Sequence, residues 1–152
     1  MLKHITPTTI RKPFANYAHG VEVPAEARLV FCSGQLGISA DDMVPSDTLA
    51  QASLCFGNIE KILKASDMGL GDIVRINAYV TGREHLAPYL AARDNWFGGG
   101  NPPASTLMIV SGFAREEFKV EIEVVAAKVD TGRNPKETLS VAPTDAVHIA
   151  NR

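Results

Sequence analysis

Hydrophobic and polar positions change period several times along this chain, and the changes divide it into elements. Val21-Glu22-Val23 reads as a short extended segment. Arg28-Leu29-Val30-Phe31-Cys32-Ser33 is a strand ended by Gly34, and Pro24-Ala25-Glu26-Ala27 is expected to join the two as neighbours. Residues 38–45 form a loop. Ser46 or Asp47 then suits a helix N-cap. Behind it Leu49, Ala52, Phe56, Ile59 and Leu63 recur at spacings of three and four, the apolar face of a helix stopped by Gly69 and Gly71. Asp72 to Val80 is rich in β-branched and aromatic residues and reads as a strand. A second helix carries Leu86, Leu90 and Phe97 on one face, with Thr81 as its cap and Gly98-Gly99-Gly100-Asn101-Pro102-Pro103 as its end. Ser105 to Val110 is a strand. Lys119 to Val129 alternates most clearly: Val120, Ile122, Val124 and Ala126 share one face, and Glu121, Glu123, Val125 and Ala127 the other.

Strands, helix, strand, helix, strand, strand is an α+β order. Right-handed crossovers put both helices on one face of a mixed sheet. The other face is left open, with two carboxylates at one end of its last strand and Val125 and Ala127 at the other. A half-apolar open face is better placed against another subunit than against water, so the pattern implies an oligomer.

The length of 152 residues suits one domain with a full core. That domain is expected over residues 1–129. From 130 to 152 the chain turns polar and turn-rich, with only a weak apolar pattern (Leu139, Val141, Val147, Ile149), and reads as a tail that is flexible or packed on a neighbour. Fifteen Lys and Arg are scattered among seventeen acids, for a net charge of −2, which argues against a nucleic-acid partner. No apolar run is long enough for a membrane span and the start lacks a signal-peptide pattern, so a cytoplasmic protein is expected. Two cysteines, Cys32 and Cys55, make no disulfide framework, and with the four histidines they show no metal-ligand spacing.

A few residues could carry chemistry. Ser33-Gly34 at a strand end offers a hydroxyl and exposed N–H groups to an anion, although a plain glycine turn is the commoner meaning. Glu121 on an open sheet face could move a proton or hold a water. An ion pair between subunits or simple solvation is the plainer alternative, more so for Glu123. Cys32 inside a strand is ordinarily an inert core thiol, and Tyr17 a core or interface residue.

Taken in order, several of these pieces resemble the Rid (YjgF-type) family. They are Tyr17, Phe31-Cys32-Ser33-Gly34-Gln35, Gln51 with Asn58-Ile59, Gly71-Asp72-Ile73-Val74, Pro103-Ala104-Ser105-Thr106, and Val120-Glu121-Ile122-Glu123-Val124-Val125-Ala126. The resemblance spans about Tyr17 to Lys128. It implies a chorismate-mutase-like α+β domain assembled as a barrel-like homotrimer, with small-molecule clefts between subunits and neither metal nor organic cofactor. Its best-known members hydrolyse enamines and imines derived from amino acids to keto acids and ammonia. By that resemblance Tyr17 and Ser33 line the cleft, which puts Gly34 beside the substrate as well, and Glu121 helps to place the attacking water.

One departure matters. Where active members carry Pro-Ala-Arg-Ser/Thr, this chain reads Pro103-Ala104-Ser105-Thr106, and Leu107 stands where a cysteine is common. A serine hydroxyl is one neutral donor in place of a bidentate guanidinium that grips the substrate carboxylate. Arg75, Arg93 and Arg115 are candidates to replace it, but the sequence places none of them in the cleft. Ser105 and Leu107 imply a less cationic, more apolar cleft, and a substrate other than the usual small carboxylate imine. The sequence leaves open whether the cleft still hydrolyses enamines or imines, or is a non-catalytic metabolite-binding or chaperone-like site. An endoribonuclease ranks behind both, because the charge balance is acidic and no His pair is evident.

Overall fold

The computed structural model describes residues 1–130, so the expected tail lies outside the described residues but for Asp130. Its strands are β1 (Lys3–Ile5), β2 (Gly20–Glu22), β3 (Arg28–Leu36), β4 (Ile73–Val80), β5 (Ala104–Ile109) and β6 (Val120–Lys128). Two helices, α1 (Thr48–Lys64) and α2 (Leu86–Phe97), precede β4 and β5 respectively. The main sheet runs β3-β6-β4-β5, with β6 antiparallel to both neighbours and β5 parallel to β4. This is the mixed α+β sheet expected, with both helices against one face.

The core lies between that face and the helices. Val120, Ile122, Val124 and Ala126 are buried there, as the alternation of β6 requires, together with Ile76, Ala78 and Val80 of β4. From α1 come Ala52, Cys55, Phe56, Ile59 and Leu63. The Phe56 ring stacks on Tyr89 and meets Phe97 edge-on across the helix pair.

Several expectations need correction. The segment before Pro24 does not neighbour β3: β2 pairs antiparallel with β1, a strand of three residues too short to show a sequence period. Strand β3 does not end at Gly34 but runs on to Leu36 through a bulge between Cys32 and Gln35. Asp47 is the cap of α1, accepting a bond from the Ala50 N–H. Leu49 is exposed, and Gln51 takes the buried place, because its amide satisfies three backbone groups. The helix ends before the glycines. Asp67 adopts a left-handed conformation (φ 54°), and the Asp67 and Met68 N–H groups bond back to Lys64 and Leu63 carbonyls. Thr81 does not cap α2, which begins after a 3-10 turn at Arg83–His85 with His85 at its start. The fully buried stripe of α2 is Tyr89, Ala92 and Arg93, while Leu86, Leu90 and Phe97 are only partly buried. Ala127, expected on the open face, is buried as well.

Candidate functional site

The six residues singled out by sequence fall into two groups within one chain. The first lies on the open face of the sheet. The β3 bulge brings Ser33 and Gly34 together opposite β6, between the Cys32–Val124 and Gln35–Ile122 pairs. Glu121 stands two residues before Glu123 on β6 and faces Tyr79 across β4. Its carboxylate lies against Gly34: a Cβ built there would fall 1.9 Å from Glu121 Oε1 and 2.8 Å from its carboxyl carbon. Only a glycine allows this approach.

Glu121 and Glu123 are in different situations despite sharing a face. Glu123 Oε1 accepts from Asn77 Nδ2 at 2.9 Å and from the Tyr79 hydroxyl at 3.0 Å. Arg75 extends this network, donating to Asn77 Oδ1 at 2.9 Å and to Thr106 Oγ1 at 2.6 Å. Partial burial and the bond to Glu123 push the Tyr79 phenol pKa upward. Glu121, by contrast, makes no hydrogen bond or ion pair among the described residues. Ser33 sits beside the network in a shallow depression shared with Phe31, Asn77 and Glu123. Cys32 points inward instead, and burial raises its thiol pKa, which disfavours the reactive thiolate.

The second group lies at the free edge of the sheet, between β5 and α2. The parallel register sets Ser105 beside Ile76 and Leu107 beside Ala78, so both side chains leave the helix-bearing face. Tyr17 reaches the same place because the N-terminal segment crosses the start of β5, where the Ala18 N–H donates to Pro103 O at 3.0 Å. Its hydroxyl accepts from the Phe14 N–H at 3.3 Å. Tyr17, Ser105 and Leu107 line a cavity of about 460 Å³ together with Phe14, Leu86, Leu90, Arg93 and Ile109.

Of the three arginines that could replace the missing one, only Arg93 lines this cavity. Arg75 is held in the open-face network, and Arg115 pairs with Glu117 in the exposed β5–β6 connection. Arg93 is 3% exposed and donates from Nε and Nη2 to Asp94 Oδ1, at 3.2 and 2.8 Å. The Tyr89 hydroxyl is buried beside Arg93 and Ser105 and makes no hydrogen bond of good geometry. Burial pushes its pKa up to about 12, against the opposing pull of Arg93 and Ser105. Sequence reading missed Tyr89. The signal was there in its i, i+4 spacing from Arg93, but a leucine stripe on the adjacent face matched the apolar period better. Among the described residues no group of His, Cys, Asp or Glu is placed to hold a metal ion, and no helix is long and apolar enough to cross a membrane.

This fold has known relatives. The family model described as endoribonuclease L-PSP matches residues 8–128. The 2-iminobutanoate/2-iminopropanoate deaminase of Escherichia coli is 27% identical over 131 residues, covering 84% of this chain and 99% of its own. Among solved structures, the Rid-family protein YyfB of Yersinia pestis, itself of unknown function, superposes with a TM-score of 0.74 at 25% identity, covering 84% of this chain and 98% of its own. The Escherichia coli YjgF structure gives 0.62 at 27%, covering 76% and 91%. The chain belongs to the endoribonuclease L-PSP family, the Rid or YjgF group, and has its chorismate-mutase-like α+β fold.

Proposed function

We propose that this protein is a Rid-type hydrolytic deaminase acting on an enamine or imine whose body is larger and more apolar than that of the small carboxylate imines. In the proposed reaction Glu121 holds a water against the imine carbon. The water oxygen bonds to that carbon as the C=N π bond breaks and the nitrogen takes up the water's proton. The resulting carbinolamine then breaks its C–N bond, and ammonia leaves with the hydroxyl proton to give a carbonyl. The observation that carries this reading is the free carboxylate of Glu121. It is half-buried, unpaired among the described residues and set against backbone at Gly34, while the neighbouring Glu123 accepts from both Asn77 and Tyr79 at Oε1. A carboxylate so placed has unused acceptor capacity for a water.

Ser33, Gly34 and Glu121 lie on one face of the sheet, and Tyr17, Ser105 and Leu107 on the other, at its edge. One substrate can touch both groups only if two chains meet, so the proposed working unit is the homotrimer with clefts between subunits. Exposed Leu29 and Phe31 on the open face, at 49% and 75%, favour such packing. The change in substrate follows from Ser105 and Leu107, together with the apolar walls of Leu86, Leu90 and Ile109.

The test generates imines in place with an amino-acid oxidase and lets semicarbazide compete for them. Acceleration that is larger for leucine- or phenylalanine-derived imines than for alanine-derived ones, from a species that light scattering sizes as a trimer, is the expected result. A monomer, or a protein that spares no imine from semicarbazide, would remove the proposal.

A further inference from the structure

We infer that Arg93 is the anion anchor of the cavity between β5 and α2, and that the cavity takes a carboxylate attached to a large apolar group. This deepens the deaminase reading by naming what holds the substrate's charged end, and rests on that reading only for the chemistry that follows binding.

The cavity is polar at one end. Arg93 supplies a guanidinium whose side chain is 4% exposed. A buried charge of this kind needs a partner, and it has half of one. Nε and Nη2 both lean on the same oxygen of Asp94, a side chain that is 53% exposed and therefore shares its charge with water. Nη1 donates to no group among the described residues. Next to it Ser105 lines the cavity, and behind that wall the Tyr89 hydroxyl is wholly buried beside Ser105 and makes no hydrogen bond of good geometry. Native interiors rarely leave a buried hydroxyl unmet, and those that remain call for an explanation. The Arg93 guanidinium edge and the Ser105 hydroxyl both line the cavity and can both donate, so the group that satisfies them together is an oxyanion. A carboxylate fits the planar guanidinium edge.

The rest of the cavity is apolar. Leu86, Leu90, Leu107 and Ile109 form its walls and the exposed Phe14 ring its mouth. At about 460 Å³ it lies within the range of cavities that hold ligands well beyond a few heavy atoms. Charge at one end and hydrocarbon along the sides describe an amphiphilic carboxylate. The anchor on α2 also differs in origin from one on β5: Ser105 leaves the strand free of a long side chain, and the volume is available to the ligand.

The test is calorimetric binding to the full chain of phenylpyruvate, of pyruvate, and of phenylacetone, in which a methyl replaces the carboxylate. Phenylpyruvate is expected to bind more tightly than pyruvate and roughly thirtyfold or more tightly than phenylacetone. Arg93→Gln should bring phenylpyruvate down to the phenylacetone level, and Asp94→Asn, at an exposed position, should tighten it. Should Arg93→Gln fail to fold, Leu90→Trp fills the cavity and should abolish binding. Equal binding of phenylpyruvate and phenylacetone to the wild type overturns the inference, as does undiminished phenylpyruvate binding by folded Arg93→Gln or Leu90→Trp. Binding through Arg93 with no imine hydrolysis upholds it while removing the deaminase reading. Imine hydrolysis that Arg93→Gln leaves untouched removes the anchor alone.

Discussion

Glu121 and Gly34 share one contact: the carboxylate of the first fills the space where a side chain on the second would begin, 1.9 Å from its oxygen. The contact is possible because β3 bulges at Ser33-Gly34 and β6 presents Glu121 opposite the end of that bulge. Gly34→Ala should therefore displace the carboxylate while leaving the fold intact, since the atoms in the way are the far end of a flexible side chain. The expected outcome is a loss of imine hydrolysis within about tenfold of that caused by Glu121→Ala, with the unfolding free energy shifted by less than about 1 kcal/mol. Enzyme assay and urea unfolding on the same preparation check both halves.

Gly37 makes a contact of the opposite kind. A Cβ there would stand 2.6 Å from the Gln51 backbone Cα in α1, which cannot swing away. Gly37→Ala should destabilise the chain by about 1–3 kcal/mol. Gln51→Leu should cost about 3 kcal/mol or more. It removes two bonds donated to the Pro45 and Glu117 carbonyls and one accepted from the Lys119 N–H, all inside the protein. Both changes are read by urea unfolding.

Tyr89→Phe separates stability from binding. It deletes a buried hydroxyl with no good partner and keeps the ring stacked on Phe56. Stability at neutral pH should be unchanged or higher by about 1 kcal/mol, while phenylpyruvate binding, which needs Arg93 and Ser105, is retained. The alkaline limb gives a second readout. In the folded chain Tyr89 and Cys55 are both pushed up to about 12, from ordinary values of 10.0 and 9.0. Their contribution is fully present below pH 9 and is lost as pH rises towards 12, because the unfolded chain ionises first. Phenylalanine at 89 should flatten that loss above pH 10, by up to about 1.4 kcal/mol for each pH unit, in urea titrations run across the range.

Ser105→Arg tests the cavity from the other side. A long cationic side chain on β5 would occupy volume that Ser105 leaves open and offer a guanidinium to a shorter ligand. Turnover of alanine-derived imines should rise, and that of phenylalanine-derived imines should fall, as a shift in relative kcat/KM. Unchanged preference in a variant that still assembles would contradict the placement of Ser105 in the cleft.

Much of this was legible in the chain, for identifiable reasons. The alternation of β6 placed Glu121 and Glu123 on the outer face because one buried face enforces a period of two. The apolar spacing behind Asp47 placed α1 for the same reason at its own period. What escaped was decided by single polar interactions. Gln51 displaced Leu49 from the buried stripe because three backbone groups needed it, and Asp67 ended α1 through its own conformation. Arg93 was one of three candidate arginines, but its place, like that of Tyr89, was hidden because α2 buries a polar stripe beside a leucine one, and no periodicity shows which of two adjacent stripes turns inward. The pairing of β2 with β1 lay beyond reach, since neither strand is long enough to show a pattern.

The most direct measurement is ammonia release from oxidase-generated phenylalanine and leucine imines, under semicarbazide competition, by the wild type and by Glu121→Ala. Acceleration by the wild type that disappears in a folded Glu121→Ala variant, sized as the wild type, is the expected result. Equal acceleration by both would contradict the role of the Glu121 carboxylate, and with it the proposed chemistry.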